Sequence, residues 1–257
     1  MTEVPSELPA DLAEALERAA NAERLLVASD FDGTLAPFVH DPMAARALPG
    51  TLDDLIALAG MEDTHAAIVS GRDLETLKEL TNFGGDFVTL IGSHGGESSR
   101  SEAAATVDHE LLAALVAEVE AQVAEEAPEV RLEYKPSAIV LHTRGLAGPE
   151  VSAAEAIAER AATRPGVLLL TGKNVLELTV AAADKGSAIR ALADDLEVDT
   201  LVFFGDDVTD EHGFEVLREG DIGVKVGEGE TAAAYRVARC DDVATALRTL
   251  RDLRDAP

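Results

Sequence analysis

Short apolar runs alternate with helical stretches along this chain, and that alternation restricts the fold more than any other feature. Leu25–Ser29 (LLVAS) is continuous in its apolar character, the pattern of a strand buried on both faces. Further strands are read at residues 66–69, 87–91, 200–204 and 221–226, and helices at 49–58, 73–80, 185–196 and 210–219. Strands spaced by helices need right-handed crossovers, which build a parallel sheet covered by helices. The middle of the chain departs from this order. A helix at 108–126 precedes strands at 130–134 and 138–143, and a helix at 149–162 precedes strands at 167–170 and 175–180. Strand pairs with such short links are antiparallel hairpins. The chain therefore reads as α/β: a Rossmann-like parallel-sheet core, residues 1–101 and 184–257, with an inserted smaller α+β cap domain of αββαββ order, residues 102–183.

Composition excludes several classes. At 257 residues and 47% hydrophobic content the chain can bury a substantial core and is not disordered. No apolar run approaches the ~18–20 residues that cross a bilayer. Residues 1–21 are acidic and lack a basic stretch followed by an apolar one, so no signal peptide is expected. Cys240 is the single cysteine, which rules out an intrachain disulfide and fits a reduced, cytoplasmic setting. The 21 basic residues stand against 49 acidic ones, a net charge of −28. A field of that sign repels nucleic acid and anionic membranes, so neither is expected as a partner, and no protein partner is inferred. It also repels any anionic ligand, unless the site supplies cations or a metal of its own.

The residues that carry chemistry stand at strand ends. Asp30-Phe31-Asp32-Gly33-Thr34-Leu35 directly follows the first apolar run, at the edge where open α/β sheets bind ligands. Two carboxylates two apart can divide the roles of nucleophile, metal ligand and acid–base catalyst. A solvated turn is the bland alternative, and the full pattern after a strand weighs against it. Ser70-Gly71-Arg72 ends the second run, where Ser70 is either a hydroxyl donor or a helix cap. Lys185, in Asp184-Lys185-Gly186, opens a helix; a cation there can neutralise a nucleophile and an anionic substrate together. Gly205-Asp206-Asp207-Val208-Thr209-Asp210-Glu211 follows the fourth run. Its hard oxygen ligands suit Mg²⁺, which takes only one or two carboxylates and keeps waters. An acidic helix N-terminus would look the same. Only five lysines occur, and three of them, Lys135, Lys173 and Lys185, fall in motifs, so those positions need a compact cation. Gly172-Lys173 is not a P-loop, because Gly166 is one residue too distant and Asn174 replaces the required Ser/Thr. The chain holds no HExxH or CxxC, which argues against zinc.

The four strand-end motifs, in this order, resemble those of the haloacid dehalogenase superfamily of phosphatases. The resemblance implies that Asp30 accepts the phosphoryl group and that Asp32 protonates the leaving oxygen and later activates water. It also implies that Ser70 donates to phosphate and Lys185 neutralises charge. Mg²⁺ is implied on Asp30, Asp206 and the Asp32 backbone carbonyl, with Asp207 and Asp210 holding metal waters or Lys185. Over nearly its whole length the chain is similar to the trehalose-6-phosphate phosphatase family. The likeness is carried by DFDGTL, SGR, Gly92-Ser93-His94-Gly95-Gly96-Glu97, Tyr134-Lys135-Pro136-Ser137 leading to His142-Thr143-Arg144, Gly172-Lys173-Asn174-Val175-Leu176-Glu177-Leu178, DKG and GDDVTDE. It implies a small-molecule sugar phosphate as substrate. Gly71 and Arg72 are implied to bind it, Lys135, Lys173 and Glu177 to face the sugar, and His94 and Glu97 to lie at the entrance between the domains. One departure stands out: the family commonly follows the cap glutamate with an Arg-Pro pair one residue on, and here Glu177-Leu178 is followed by Thr179-Val180.

The expected reaction is Mg²⁺-dependent hydrolysis of trehalose 6-phosphate to trehalose and phosphate through an aspartyl-phosphate. A phosphosugar mutase, a phosphatase for another glycosyl phosphate and a non-catalytic sugar-phosphate sensor remain as alternatives. Net phosphate release separates phosphatase from mutase, and any turnover excludes the sensor. Few lysines among many acids is also the composition of a surface adapted to salt. Self-repulsion at −28 destabilises the compact state at low ionic strength. Salt shortens the Debye length from about 30 Å at 0.01 M to about 3 Å at 1 M. The melting temperature is therefore expected to rise from low to molar KCl, and a flat or falling curve would remove the salt-adaptation reading.

Overall fold

The computed structural model describes residues 8–84, 87–100, 108–180 and 184–256. It divides the chain into two compact units, Met1–Ala104 with Asp184–Pro257, and Ala105–Ala183. The limit expected at residues 101–102, and residue 183 beside the other limit, lie outside the described residues. The first unit begins with α1 (Ala10–Ala20), β1 (Leu25–Ser29), α2 (Thr51–Ala59), β2 (Thr64–Val69), α3 (Leu74–Thr81), β3 (Val88–Gly92) and the two-residue β4 (Glu97–Ser98). The second unit holds α4 (His109–Glu126), β5 (Arg131–Lys135), β6 (Ala138–His142), α5 (Gly148–Ala162), β7 (Leu168–Gly172) and β8 (Val175–Thr179). The first unit then resumes with α6 (Lys185–Asp195), β9 (Thr200–Gly205), α7 (Val208–Glu215), β10 (Ile222–Val226), β11 (Tyr235–Val237) and α8 (Cys240–Arg254).

The first unit's seven-stranded sheet runs β11-β10-β9-β1-β2-β3-β4, parallel except for β4. Every residue of β1 is buried, and alternate residues feed two different cores. Leu25 and Val27 pack with Leu12, Leu16, Ile68, Phe204, Leu247 and Leu250. Leu26 and Ala28 pack with Val69, Ile189, Leu192, Phe203 and Phe214 on the other face. Burial on both faces is why the run is apolar without alternation. The register then sets the site. Ser29 pairs with Ile68 of β2 and Phe204 of β9, so the residues following all three strands arrive at one edge of the sheet.

Several elements lie outside the expected set. Helices α1 and α8, and strands β4 and β11, were not expected from the sequence. Helix α8 carries its buried Val243, Ala246, Leu247 and Leu250 at helical spacing, and α1 does the same with Leu12, Ala15, Leu16 and Ala19. Helix α7 begins at Val208, two residues before the expected start. The reason is local: Asp207 caps the helix, its side chain accepting from the Val208 amide at 2.7 Å, and forms a capping box with Asp210.

The second unit's four-stranded sheet is antiparallel, ordered β5-β6-β8-β7. The two hairpins thus meet through their second strands. Ile139 pairs with Leu178 and Leu141 with Leu176, and all four join Leu115, Val119 and Ile157 of α4 and α5 in one core. The intervening pair, Val140 with Glu177, belongs to the opposite face of the sheet.

Leu16 is fully buried in the first unit's core, so Leu16→Ala is expected to lower stability by about 2–5 kcal/mol, read from the urea midpoint. A loss well under 1 kcal/mol would mean that α1 is peripheral to the folded unit.

Candidate active site

The site is built at the sheet edge that receives β1, β2 and β9. Asp30 follows β1, and its amide donates to the Phe204 carbonyl at 2.8 Å, extending the β1–β9 pairing by one residue. Beyond it the chain closes a tight loop. The amides of Leu35 and Ala36 both reach the Phe31 carbonyl, at 3.0 and 2.8 Å, and the Gly33 amide reaches that of Ala36 at 2.7 Å. Gly33 has φ +87°, and a Cβ there would lie 2.2 Å from a carboxylate oxygen of Asp206. Only glycine meets both demands. Asp206 is thereby seated on the loop, where the Thr34 hydroxyl donates to its Oδ1 at 3.2 Å.

Lys185 ties the site together. It is the first residue of α6 and only 3% exposed, and its Nζ donates to Asp30 Oδ1 at 2.7 Å and Asp210 Oδ1 at 2.8 Å. Gly186 permits the helix approach that brings this about, since a Cβ there would sit 2.1 Å from the His212 carbonyl oxygen of α7. Burial opposes the charge on Lys185, but Asp210 and Asp30 outweigh it and hold its pKa above that of an ordinary lysine. Burial also raises Asp30 well above the usual carboxylate range; Lys185 pulls it back only in part, and Asp210 and Asp206 add to the rise. Asp206 is pushed up to about 6, by burial first and then by Asp210.

Oxygens of Asp30, Asp206 and Asp210 lie within 4.8 Å of one another. Three carboxylates face one ammonium, so the fully ionised cluster carries two uncompensated negative charges, which a divalent cation offsets. Asp210 is already engaged: its Oδ1 takes Lys185 and its Oδ2 accepts the amides of Asp206 and Asp207, both at 3.0 Å. Asp30 and Asp206 are left as the carboxylates with room for a metal. One or two carboxylates of hard oxygen is the donor set that Mg²⁺ takes.

The other expected residues are placed as follows. The Ser70 hydroxyl accepts from the Arg72 amide at 3.2 Å. Arg72 forks onto Asp32, Nε to Oδ2 at 2.5 Å and Nη2 to Oδ1 at 2.7 Å, and lies 5.9 Å from the Phe31 ring centroid. The Ser70–Arg72 loop is laced to the loop after β3: His94 donates its amide to the Ser70 carbonyl at 3.0 Å, and Ser93 to that of Arg72 at 2.7 Å. Ser93 and His94 both have left-handed φ values, 49° and 54°, and the His94 ring packs onto Gly71. Glu97 accepts from the Ser93 hydroxyl at 2.6 Å and the Leu74 amide at 3.1 Å, so its carboxylate braces these loops and the start of α3. In the second unit Lys135 and Glu177 form an ion pair at 2.6 Å on the face opposite α4 and α5. Lys173 is exposed in the turn joining β7 to β8, where Asn174 takes the left-handed conformation.

The trehalose-phosphatase family profile matches residues 28–243. The chain belongs to that family. It is 32% identical over 251 residues to a trehalose-phosphate phosphatase of Mycobacterium tuberculosis, covering 89% of this chain and 62% of that protein. It is also 32% identical over 241 residues to an uncharacterized glycosyl hydrolase of the same organism, covering 86% of this chain and only 18% of the relative. Against these relatives the chain thus corresponds to part of the length. Its fold is that of the C. albicans trehalose-6-phosphate phosphatase C-terminal domain, with TM-score 0.76, 23% identity and coverage of 97% and 99% of the two chains.

Three residues around Asp206 were not singled out from sequence: Thr34, whose hydroxyl reaches its carboxylate, Lys225, whose Nζ reaches its carbonyl at 2.7 Å, and Glu211, which accepts from Lys225 at 3.0 Å. Lys225 left a signal, a lysine inside the apolar run IGVKV of β10. Thr34 and Glu211 left none beyond their place within the motifs.

Proposed function

We propose that this chain is a Mg²⁺-dependent phosphatase that hydrolyses trehalose 6-phosphate to trehalose and phosphate through an aspartyl-phosphate on Asp30. The supporting observation is the buried Asp30 at the end of β1, held by Lys185 at 2.7 Å beside Asp206, in a chain of the trehalose-phosphatase family. In this reading Lys185 orients Asp30 and offsets the phosphate charge. An Asp30 oxygen attacks phosphorus, the bond from phosphorus to the sugar oxygen breaks, and Asp32 gives that oxygen its proton. Asp32, now a carboxylate, takes a proton from water; the hydroxide oxygen bonds to phosphorus, and Asp30 leaves as a carboxylate with release of inorganic phosphate. Ser70 donates to the phosphoryl oxygens, and the Arg72 fork, which favours ionised Asp32, opens before Asp32 carries the proton it gives. Mg²⁺ would be held by Asp30, Asp206 and the Asp32 backbone carbonyl, and when bound it supplies charge stabilisation to the transferring phosphoryl group.

The second unit supplies sugar recognition in this reading. Lys135 has three donors and Glu177 is an acceptor, the complement of a disaccharide's hydroxyls, and Lys173 adds a further donor. A cytoplasmic setting is part of the same reading. It rests on the lone Cys240, and no described helix is long and apolar enough to cross a membrane.

Asp30→Asn keeps the shape and removes the attacking charge. It is expected to fold and to lose about 10³-fold or more in phosphate release, on the scale of nucleophile deletions. Wild-type turnover in the folded variant would exclude the covalent route. Glu177→Ala removes an acceptor and the ion pair with Lys135, so kcat/KM for trehalose 6-phosphate should fall about 10–100-fold, while a small aryl phosphate is spared. Equal losses on both substrates would mean that Glu177 supports the fold instead of reading the sugar.

A further inference from the structure

We infer that Lys225 is the positioning residue for Asp206, acting on its backbone through a three-point contact from β10. The inference rests on the reading of Asp206 as a Mg²⁺ ligand. Lys225 is 4% exposed near the C-terminal end of the buried strand β10, where a charge is costly without partners. Its Nζ has three N–H donors, and three oxygens lie around it: the Asp206 carbonyl at 2.7 Å, Glu211 Oε1 at 3.0 Å and the Asp207 carbonyl at 3.4 Å. Asp210 Oδ2 meanwhile accepts the amides of the same two residues, both at 3.0 Å. The backbone of Asp206 and Asp207 is therefore gripped at its amides by Asp210 and at its carbonyls by Lys225. Glu211 aims the lysine and is itself held, its Oε2 accepting from the Thr231 hydroxyl at 3.1 Å and the Ala232 amide at 2.9 Å. What this grip sets is the direction of the Asp206 carboxylate on the Gly33 loop, where no Cβ would fit.

The sign of one measurement separates positioning from a field effect. Removing a positive charge near a cation site strengthens cation binding by Coulomb's law, whereas losing the grip on Asp206 weakens it. Mg²⁺ affinity is to be measured by calorimetric titration of the folded full chain at fixed ionic strength, for the wild type, Lys225→Met, Asp206→Asn and the double variant Lys225→Met/Glu211→Gln. Lys225→Met is expected to weaken Mg²⁺ binding tenfold or more, and Asp206→Asn to do at least the same. Unchanged or tighter binding in Lys225→Met, with Asp206→Asn weakened, overturns the positioning role alone. Unchanged binding in Asp206→Asn overturns the ligand reading and this inference with it. If Lys225→Met does not fold, the double variant carries the test by the same criteria, because it removes both members of the buried pair and strands no charge.

Discussion

A lysine buried between two aspartates is the contact on which the rest of this site depends. Lys185 joins Asp30 at the end of β1 to Asp210 on α7, from the first turn of α6. A buried ion pair of this kind is a poor source of net stability, because desolvation offsets most of the attraction. Its value here is in position. It holds two helices and a strand end in one arrangement, and the arrangement leaves negative charge unbalanced among Asp30, Asp206 and Asp210. The apolar packing of β1 and β9 on both sheet faces supplies the rigidity that keeps such a costly cluster in place.

Each chemical group in the first unit is braced by another one step further away. Arg72 holds Asp32, the loop after β3 holds Ser70 and Arg72, and Glu97 holds that loop. Lys225 and Glu211 stand in the same relation to Asp206. Such layering fixes dipoles and charges before substrate arrives, so that little reorganisation remains for the reaction itself. It also gives three glycines of this chain a physical reason: a Cβ would meet the Asp206 carboxylate at Gly33, the His94 ring at Gly71 and the His212 carbonyl at Gly186.

The sequence made the centre of the fold legible and its margins less so. β1 and β9 are apolar because both their faces are buried, and no other local structure accounts for LLVAS and TLVFF running into acidic turns. The paired hairpins were legible from the short links between their strands, Lys135-Pro136-Ser137 in the first. Helices α1 and α8 escaped, although Leu12–Leu16 and Val243–Leu250 have helical spacing, because acid- and arginine-rich flanks mask a narrow apolar stripe. β4 and β11, of two and three residues, are too short to carry a period. In the site, residue types were readable, and so were the Lys185 contacts with Asp30 and Asp210, but the partners of Glu97 and Arg72 were not. Glu97 reads as a carboxylate at an entrance until the fold sets Ser93 and Leu74 against it, and Arg72 reads as a substrate binder until Asp32 is placed beside it. The pairings of Glu97 with Leu74 and of Arg72 with Asp32 depend on how separate strand ends are brought together, which a local pattern does not encode.

The placement of the second unit has a consequence for how the molecule comes into being. β1 bonds to β9, Leu25 opposite Thr200, and everything between them, the whole second unit included, must be accommodated before that pair can close. Contacts so distant along the chain are slow to form, and a compact intervening module shortens the effective loop. During synthesis Asp30, Asp32 and Ser70 leave the ribosome long before Lys185, Asp206 and Lys225. The nascent chain therefore carries Asp30 without Lys185 until its last third has emerged, whereas Arg72 follows its partner Asp32 early. The Asp30–Lys185 contact, spanning 155 residues of sequence, therefore cannot form until most of the chain has been made.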